Sequence, residues 1–441
     1  MRSYQKNCLI CNIIKQVLLI TYYWPPSGGA GVQRWLKLSN YLQEQGLQVH
    51  LIVPRPNDAS YFVFDKSLEK DIHPGIKIYP TKTIEPFGLY KKIFGGDKIP
   101  AAGFSNVDTT SFKQKLSIFI RTNFFIPDPR KFWKYFAYKQ AKSIIEKEGI
   151  KTVITSSPPH SVQLIGAKLK RNFDINWIAD LRDLWTDIYY YPVLQHSKLS
   201  AYIDKKHELK VLKNADKVVT VSPFFEDLFA SKSNRIDRTK FTFIPNGFDE
   251  KDFSKFKYDK KSSFTICYTG TLSKEYRIQP FLKALSKLVT EAISVKLRFV
   301  GVVYQELEKE LSSLNLIDST EFIGYVPHNE SISYLEDAYA LLLVGPLNES
   351  NTEGSIPAKV FEYMAASRPI IYIGKPDGFM AKMLSETNSG SSFGDDENAI
   401  YDRLKELYQN YTQHVFPSRI NESIRKYSRQ KQADQYAKLI V

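Results

Sequence analysis

Clusters of charged and small residues follow several apolar segments of strand length. Asp180–Trp185 (DLRDLW) combines two carboxylates, a guanidinium and an indole, which can hydrogen-bond hydroxyls and stack on a ring face. Ser156–His160 (SSPPH) follows the preceding apolar segment, so we expect both clusters to face one cleft. The residues predicted to act on a substrate here are His160, Asp180, Arg182 and Asp183. The alternative interpretation is structural, with Arg182 bridging the two aspartates.

Two glycine-containing loops and one helix could hold a diphosphate and a ribose. Pro25–Gly31 (PPSGGAG) and Tyr268–Lys274 (YTGTLSK) each join an apolar segment to a helical pattern, where backbone N–H groups can approach an anion. Within residues 353–374, Lys359 could screen phosphate charge and Glu362 could accept hydrogen bonds from a diol. The residues predicted at this second site are Gly28, Gly29, Gly270, Thr271, Arg277, Lys359 and Glu362. The alternatives are tight turns for the loops and a solvated helix position for Glu362.

The elements that position these clusters alternate between strand and helix. A buried strand near residues 16–23, a helix containing Val32–Leu42 with Gly46 as its cap, and a strand near residues 47–56 form a βαβ unit. The pattern recurs and then restarts near Phe264, which predicts two successive α/β halves. Further helices are predicted near residues 161–171, 199–214 and 278–291, and further strands in TVITSSPP, INWIADLRD, KVVTVS, FTFIPNGFD, FTICYTGTLS, VKLRFVGVV, TEFIGYVP, ALLLVGP and PIIYIG.

Composition narrows the choice of partner. The chain has 441 residues, and its 61 basic over 47 acidic side chains give a net charge of +14, which attracts polyanions. Neither an arginine-rich repeat nor a zinc-finger spacing favours nucleic acid, so we expect phosphorylated substrates and an anionic membrane surface as partners. Three cysteines cannot form a disulfide framework, and the Cys8-x-x-Cys11 pair is interpreted as chance.

The predicted location is cytoplasmic, with attachment to the inner face of the plasma membrane. The apolar stretch near the N-terminus is interrupted by Asn12 and Lys15, unlike a signal peptide, and no apolar run approaches the ~20 residues of a spanning helix. Residues 84–133 interleave aromatic and cationic side chains in a long loop-rich segment, which suits a membrane interface or a lipid-linked acceptor. The alternative is an aromatic-rich core insertion with a solvated basic face.

These motifs together resemble the GT-B glycosyltransferases, specifically glycosyltransferase family 4. The resemblance covers nearly the whole chain from about residue 16 and lies in the GGAG, SPPHS, DLRDLW, IPNGFD, YTGTLS and GYVPH segments and the P-x-K-x-FEYMA block. It implies an α/β fold of two Rossmann-like domains that face each other across a cleft. Residues 1–247 would bind the acceptor, residues 248–421 the nucleotide-sugar, and a helix within 422–441 would pack back on the first domain.

The resemblance also implies chemistry. The enzyme would transfer a sugar from a nucleotide-sugar to a glycan or lipid-linked acceptor in surface polysaccharide synthesis, with retained anomeric configuration and without a metal. Glu362 matches the glutamate that binds the ribose, Arg277 and Lys359 are the diphosphate candidates, and Gly28 and Gly29 approach from the other domain. The alternatives are a sugar-nucleotide epimerase and a non-catalytic partner subunit with the same fold.

The sequence departs from the family pattern at three places. Gly354 stands where the family commonly has a glutamate, because Glu353 is separated from Glu362 by one residue too many. Thr271 replaces the arginine of the glycine-arginine-leucine phosphate motif. The histidine that many members place beside the donor sugar has no clear match.

Overall fold

The first of two parallel sheets is built from the N-terminal half of the chain. The computed structural model describes residues 15–61, 63–85, 112–257, 263–345, 354, 356–415 and 422–441. The strand order in this sheet is β3-β2-β1-β4-β5-β6-β7, and every pairing is parallel. Its strands are β1 (Gln16–Thr21), β2 (Gln48–Pro54), β3 (Lys77–Thr81), β4 (Thr152–Ser157), β5 (Asn176–Leu181), β6 (Lys217–Thr220) and β7 (Phe241–Phe243).

Helices cover both faces of this sheet, which explains why β1, β4 and β5 are almost continuously apolar or small. They are α1 (Ala30–Glu44), α2 (Phe112–Phe124), α3 (Trp133–Glu148), α4 (Gln163–Asn172), α5 (Lys198–Asn214) and α6 (Pro223–Ser231). One apolar cluster centred on Trp177 and Trp133 lies on one face, and a second, with Trp35 and Leu36 of α1, lies on the other.

The second sheet repeats the design with its own cores. Its order is β10-β9-β8-β11-β12-β13, again with parallel pairings. The strands are β8 (Thr265–Thr269), β9 (Lys296–Val300), β10 (Thr320–Gly324), β11 (Ala340–Val344), β12 (Ile370–Ile373) and β13 (Gly390–Ser392). The helices are α7 (Gln279–Thr290), α8 (Leu307–Ser313), α9 (His328–Asp337), α10 (Lys359–Ala365), α11 (Phe379–Glu386) and α12 (Glu397–Thr412), and α13 (Arg429–Leu439) follows them in the chain.

The predicted α/β architecture with two parallel sheets is confirmed, and the strands β3 and β13, which were not predicted, have weak sequence signals. β3 is a half-exposed edge strand that contains Pro80, and β13 consists of Gly-Ser-Ser. The segment 84–133, interpreted as loop-rich, contains a helix at its C-terminal side. Residues 112–124 form α2, which buries Ser117, Ile118 and Thr122. Residues 86–111, and the Cys8–Cys11 pair, lie outside the described part of the chain.

Two chain segments run side by side between the sheets. The Phe248 N–H donates to the Tyr427 carbonyl at 3.3 Å, and the Arg429 N–H donates to the Phe248 carbonyl at 2.8 Å. Beyond this crossing, α13 packs against α1, where Tyr436 lies over Trp35 with ring centroids 5.0 Å apart. The C-terminal helix therefore contacts the first sheet's layer. In the described part of the chain, no helix has both the length and the apolar character needed to cross a bilayer.

Candidate active site

A cavity of about 280 Å³ opens at the carboxyl ends of β1, β4 and β5. The strand order reverses between β1 and β4, and ligands of open α/β sheets bind at such a switch point. Polar and aromatic side chains share its wall, among them Tyr23, Asp128, Arg130, His160, Asp183 and Trp185. Two predicted residues, His160 and Asp183, are thus brought together.

His160 contributes an uncharged aromatic ring to the wall of this cavity. Its ring stacks on Trp185 with centroids 4.6 Å apart and an angle of 10° between the planes. Burial lowers the pKa of His160 to about 3, so the imidazole is uncharged at neutral pH and can exchange hydrogen bonds without carrying charge. Trp185 is held in turn by Asp204, which accepts from the indole N–H at 2.8 Å and from the Tyr191 hydroxyl at 3.1 Å.

Asp183 presents a carboxylate to the cavity. Its side chain is exposed at the surface of the cavity, but the surrounding walls exclude part of its hydration. This desolvation raises the pKa of Asp183, Arg182 lowers it, and Asp180 raises it. A carboxylate in this position can accept a hydrogen bond from a substrate hydroxyl.

Asp180, in contrast, lies in the interior. It is 0% exposed and accepts hydrogen bonds from Arg34 at 3.2 Å, Trp35 at 2.8 Å, Ser156 at 2.7 Å and Tyr436 at 2.9 Å. Burial by itself raises the pKa of Asp180, but Arg34, Arg182 and these hydrogen bonds outweigh it and lower the pKa below its ordinary value. The position favours a structural role, in place of the predicted contact with substrate.

Arg182 fixes the glycine loop. Its guanidinium donates to the Gly31 carbonyl at 2.7 Å, to the Ser157 carbonyl at 3.0 Å and to the Pro158 carbonyl at 3.4 Å. The charge of Arg182 lowers the pKa of both aspartates, but its hydrogen bonds go to these carbonyl groups and the ion pair of Asp180 is with Arg34, in place of the bridge between the aspartates. Arg182 instead joins the loop before α1 to the turn after β4, and so fixes two walls of the cleft.

The predicted glycines before α1 lie between the two halves of the molecule. The Gly28 N–H donates to the Val63 carbonyl at 2.9 Å, and Gly29 has a φ of +93°, which favours glycine. A Cβ atom at Gly28 would stand 3.0 Å from Val63 and 3.2 Å from the hydroxyl of Tyr325, which follows β10. A larger residue at position 28 would therefore crowd both sides of the cleft.

The second candidate site lies at the switch point of the second sheet, between β8 and β11. The Lys359 ammonium donates to the Thr269 carbonyl at 2.8 Å and lies 3.6 Å from the centre of the Tyr268 ring. It is also 3.6 Å from where a Cβ of Gly270 would be, and Gly270 has a φ of +94°. Burial lowers the pKa of Lys359 to about 7. An anion bound at the Gly270 loop would therefore contact the Lys359 ammonium, from which burial has already removed much of the hydration.

Glu362 stands one turn further along α10 and is held by a histidine. The Glu362 carboxylate lies 3.8 Å from His328 Nδ1, with 22% of its side chain exposed. His328 Nε2 lies 3.1 Å from Asp252, a residue of the segment that follows the interdomain crossing. Thr271 and Arg277, by comparison, lie on the surface near the start of α7.

Gly354 explains one departure from the family pattern. A Cβ atom there would lie 2.6 Å from the Ser222 hydroxyl and 2.7 Å from Phe224, at the start of α6. A Cβ atom does not approach other heavy atoms this closely, so a glutamate would require these neighbours to shift. Ser222 and Phe224 of the first half therefore occupy the space that a side chain at position 354 would need.

Several residues of the two candidate sites were not predicted from the sequence. Arg34, Lys37, Asp252 and His328 have no local signal, because their contacts connect residues far apart in the chain, such as His328 with Asp252 across 76 positions. His328 stands in the GYVPH segment, which carried the family resemblance without indicating a role. Tyr23, Asp128 and Arg130 line the cavity, and their positions next to β1 and α3 were the available clue.

Comparisons with known proteins agree with this geometry. The family model for glycosyl transferases group 1 matches residues 250–431, and the model for Glycosyltransferase Family 4 matches residues 105–252. A comparison with curated protein sequences gives no significant match.

Solved structures share the fold over almost the whole chain. Sucrose-phosphate synthase from Thermosynechococcus elongatus superposes with a TM-score of 0.59 and 15% identity, covering 96% of this chain and 98% of its own. HepE of Anabaena, solved with UDP and glucose, gives 0.57 and 12% identity over 96% and 98%. The lipopolysaccharide outer core galactosyltransferase WaaB gives 0.55 and 12% identity over 96% and 99%. With a group 1 domain after a family 4 domain and the two-sheet fold, the chain belongs to the GT-B glycosyltransferases.

Proposed function

We propose that the enzyme transfers a sugar from a nucleotide-sugar to a glycan or lipid-linked acceptor of a surface polysaccharide, with retention of anomeric configuration. The observation that carries this proposal is that each sheet has a candidate site where its strand order reverses, and that the two sites differ in chemistry. The acceptor cavity contains Asp183 and His160, and the donor site contains Lys359 and Glu362 of α10. HepE was solved with UDP-glucose, and WaaB is a lipopolysaccharide galactosyltransferase, which supports the donor and product classes by analogy.

On the donor side, Glu362 accepts hydrogen bonds from the ribose hydroxyls. Lys359 and the Thr271 backbone N–H stabilise the negative charge that grows on the leaving diphosphate, whereas the neighbouring Gly270 and Leu272 N–H groups donate to the Val300 and Val302 carbonyls and hold the loop in place. A cation and amides can do this without a metal ion. Because the ammonium of Lys359 is half-buried, its attraction to the diphosphate is screened less than it would be in open water.

On the acceptor side, Asp183 accepts a hydrogen bond from the attacking hydroxyl, and the His160–Trp185 stack supports the acceptor's ring. The bond between the anomeric carbon and the diphosphate oxygen breaks, and the acceptor oxygen forms a bond on the same face. The acceptor proton passes to the departing phosphate oxygen. Retention follows without a nucleophile from the protein.

Transfer of a labelled sugar tests this function. Purified enzyme is incubated with UDP-, GDP-, ADP- and CMP-sugars, with and without a glycan and lipid fraction of a bacterial envelope. We expect one donor to give a labelled product whose anomeric configuration, read by NMR, equals that of the donor, and Asp183→Asn to slow its formation. An epimerised nucleotide-sugar formed without acceptor, or an inverted product, would contradict the proposal.

The proposal includes attachment to an anionic membrane surface beside the acceptor cavity. We define the α2–α5 surface by Leu116, Phe119, Leu199 and Tyr202, which are 42%, 43%, 68% and 63% exposed. Asn123 at the end of α2 accepts hydrogen bonds from Ser197 and Ser200 at the start of α5, so the end of one helix is fixed to the start of the other.

Cations accompany these apolar side chains. Exposed lysines share the two helices with them: Lys115 on α2 and Lys198, Lys205 and Lys206 on α5. Apolar groups that enter the headgroup region, with lysines beside them, suit an anionic bilayer.

Vesicle flotation tests the attachment. We expect the enzyme to float with vesicles rich in phosphatidylglycerol and to remain in solution with phosphatidylcholine alone. The double variant Leu199→Ser/Tyr202→Ser should float less, whereas Val302→Ser, at a 54% exposed position of the second half, should float like the wild type. Flotation that does not depend on anionic lipid, or that is unchanged in the double variant, would contradict this attachment.

A further inference from the structure

A line of charged side chains connects α1 of the first half to the candidate ribose ligand of the second. Lys37 lies 3.1 Å from Asp252, Asp252 lies 3.1 Å from His328 Nε2, and His328 Nδ1 lies 3.8 Å from Glu362. The four groups alternate in charge sign when His328 is protonated. None has more than 22% of its side chain exposed.

The histidine is held on two sides by carboxylates. Burial lowers the pKa of His328, but Glu362 and Asp252 outweigh it and raise the pKa above its ordinary value, while Lys37 opposes them. Arg429 also faces Glu362 and Asp252. A protonated imidazole between the two carboxylates restricts where the Glu362 oxygens can lie.

The far end of this line is anchored in the first half. Lys37 also contacts Asp249 at 3.1 Å and Asp71 at 3.0 Å, and the Tyr41 hydroxyl donates to Asp249 at 2.7 Å. Lys37 and Tyr41 lie one turn apart on α1, which begins directly after the Gly28–Gly29 loop. Movement of α1 relative to the second half therefore moves Lys37, which contacts Asp252, and Asp252 in turn holds His328.

We propose that His328 is a positioning residue for Glu362, and that Asp252 and Lys37 make nucleotide binding in the second half depend on the placement of α1 in the first. The inference rests on the proposed role of Glu362 as a ribose ligand. It assigns to His328, Asp252 and Lys37 a part in coupling donor binding to closure of the cleft. A ligand that needs the closed arrangement would bind more weakly once this line is broken.

Nucleotide affinity tests the coupling. Dissociation constants for UDP, GDP and ADP alone are measured by calorimetry on the full chain. For the nucleotide that binds, we expect His328→Gln to raise the dissociation constant about five- to tenfold, which is the lower range of coupling between sites. Lys37→Gln should also raise the dissociation constant, although Lys37 lies on the other half. In a Glu362→Gln background, His328→Gln should have little further effect, because the group it positions has changed.

The matched control is Lys251→Gln. It breaks an exposed ion pair between the same segment and α1, Lys251 with Glu44 at 2.7 Å, outside the line to Glu362. Its nucleotide affinity should equal that of the wild type. If Lys37→Gln does not fold, Tyr41→Phe is measured in its place, because it removes only the hydrogen bond from Tyr41 to Asp249.

The outcomes separate the two proposals. Wild-type affinity in His328→Gln, or an equal loss with and without Glu362→Gln, overturns the positioning role while the proposed function stands. Failure of the wild type to bind any of these three nucleotides or CMP overturns both.

Discussion

Replacing Glu362 by alanine is expected to weaken donor binding between about ten- and a hundredfold, the size of a lost hydrogen bond to a charged group. The carboxylate is half-buried on α10 beside Lys359, and His328 holds it 3.8 Å away. Removing it leaves the ribose hydroxyls without an acceptor. Because the ribose is remote from the reacting bond, the loss should raise KM for the nucleotide-sugar more than it lowers kcat.

Steady-state kinetics with the active donor measures this split. Glu308→Ala, at an exposed position of α8 in the same half, is the matched control and should behave as the wild type. A Glu362→Ala enzyme with unchanged KM would show that Glu362 does not contact the donor.

The second large effect concerns stability. Asp180→Ala should lower the free energy of unfolding by about 3–5 kcal/mol, because it leaves the Arg34 charge buried without its carboxylate. Arg34 and Asp180 are both 0% exposed, and Asp180 also accepts from Tyr436 of α13. The change therefore loosens the packing of α1 on β5 and on the C-terminal helix together.

Urea denaturation measures that loss. The chain offers a matched control in a second Arg–Asp pair with nearly the same distance, Arg238 with Asp227 at 3.3 Å, whose side chains are 65% and 76% exposed. Asp227→Ala should cost no more than about 1 kcal/mol, as exposed ion pairs do. Equal losses in Asp180→Ala and Asp227→Ala would mean that burial does not set the strength of the Arg34 pair.

Asp180 and Asp183 illustrate what the sequence could predict about the cavity. Both stand in DLRDLW, and the sequence placed both at the end of a strand. Asp180 is still within β5, paired in register with Ser156, so its side chain points into the layer under α1. Asp183 is two residues beyond the strand and reaches the cavity. The exact strand end decides between the interior and the cleft, and an apolar pattern does not define that end to within one residue.

The fold was more predictable than the contacts between its halves. β1, β4, β5 and β8 are mostly apolar or small segments, and a sheet covered on both faces buries such segments. Lys37 and Asp252, by contrast, meet across 215 positions, and neither stands in a recognisable motif. Such a contact depends on how the two halves sit together, which the pattern within each half does not contain.

The most direct test of the donor site is a thermal-shift panel of UDP-, GDP-, ADP- and CMP-sugars with the wild type and Glu362→Ala. A ligand of the folded state raises stability by about 2.7 kcal/mol at a hundred times its dissociation constant. We predict a rise in Tm with one nucleotide class, strongly reduced in Glu362→Ala. A rise of undiminished size in Glu362→Ala, or no rise with any donor, would contradict a nucleotide-sugar site at Lys359 and Glu362.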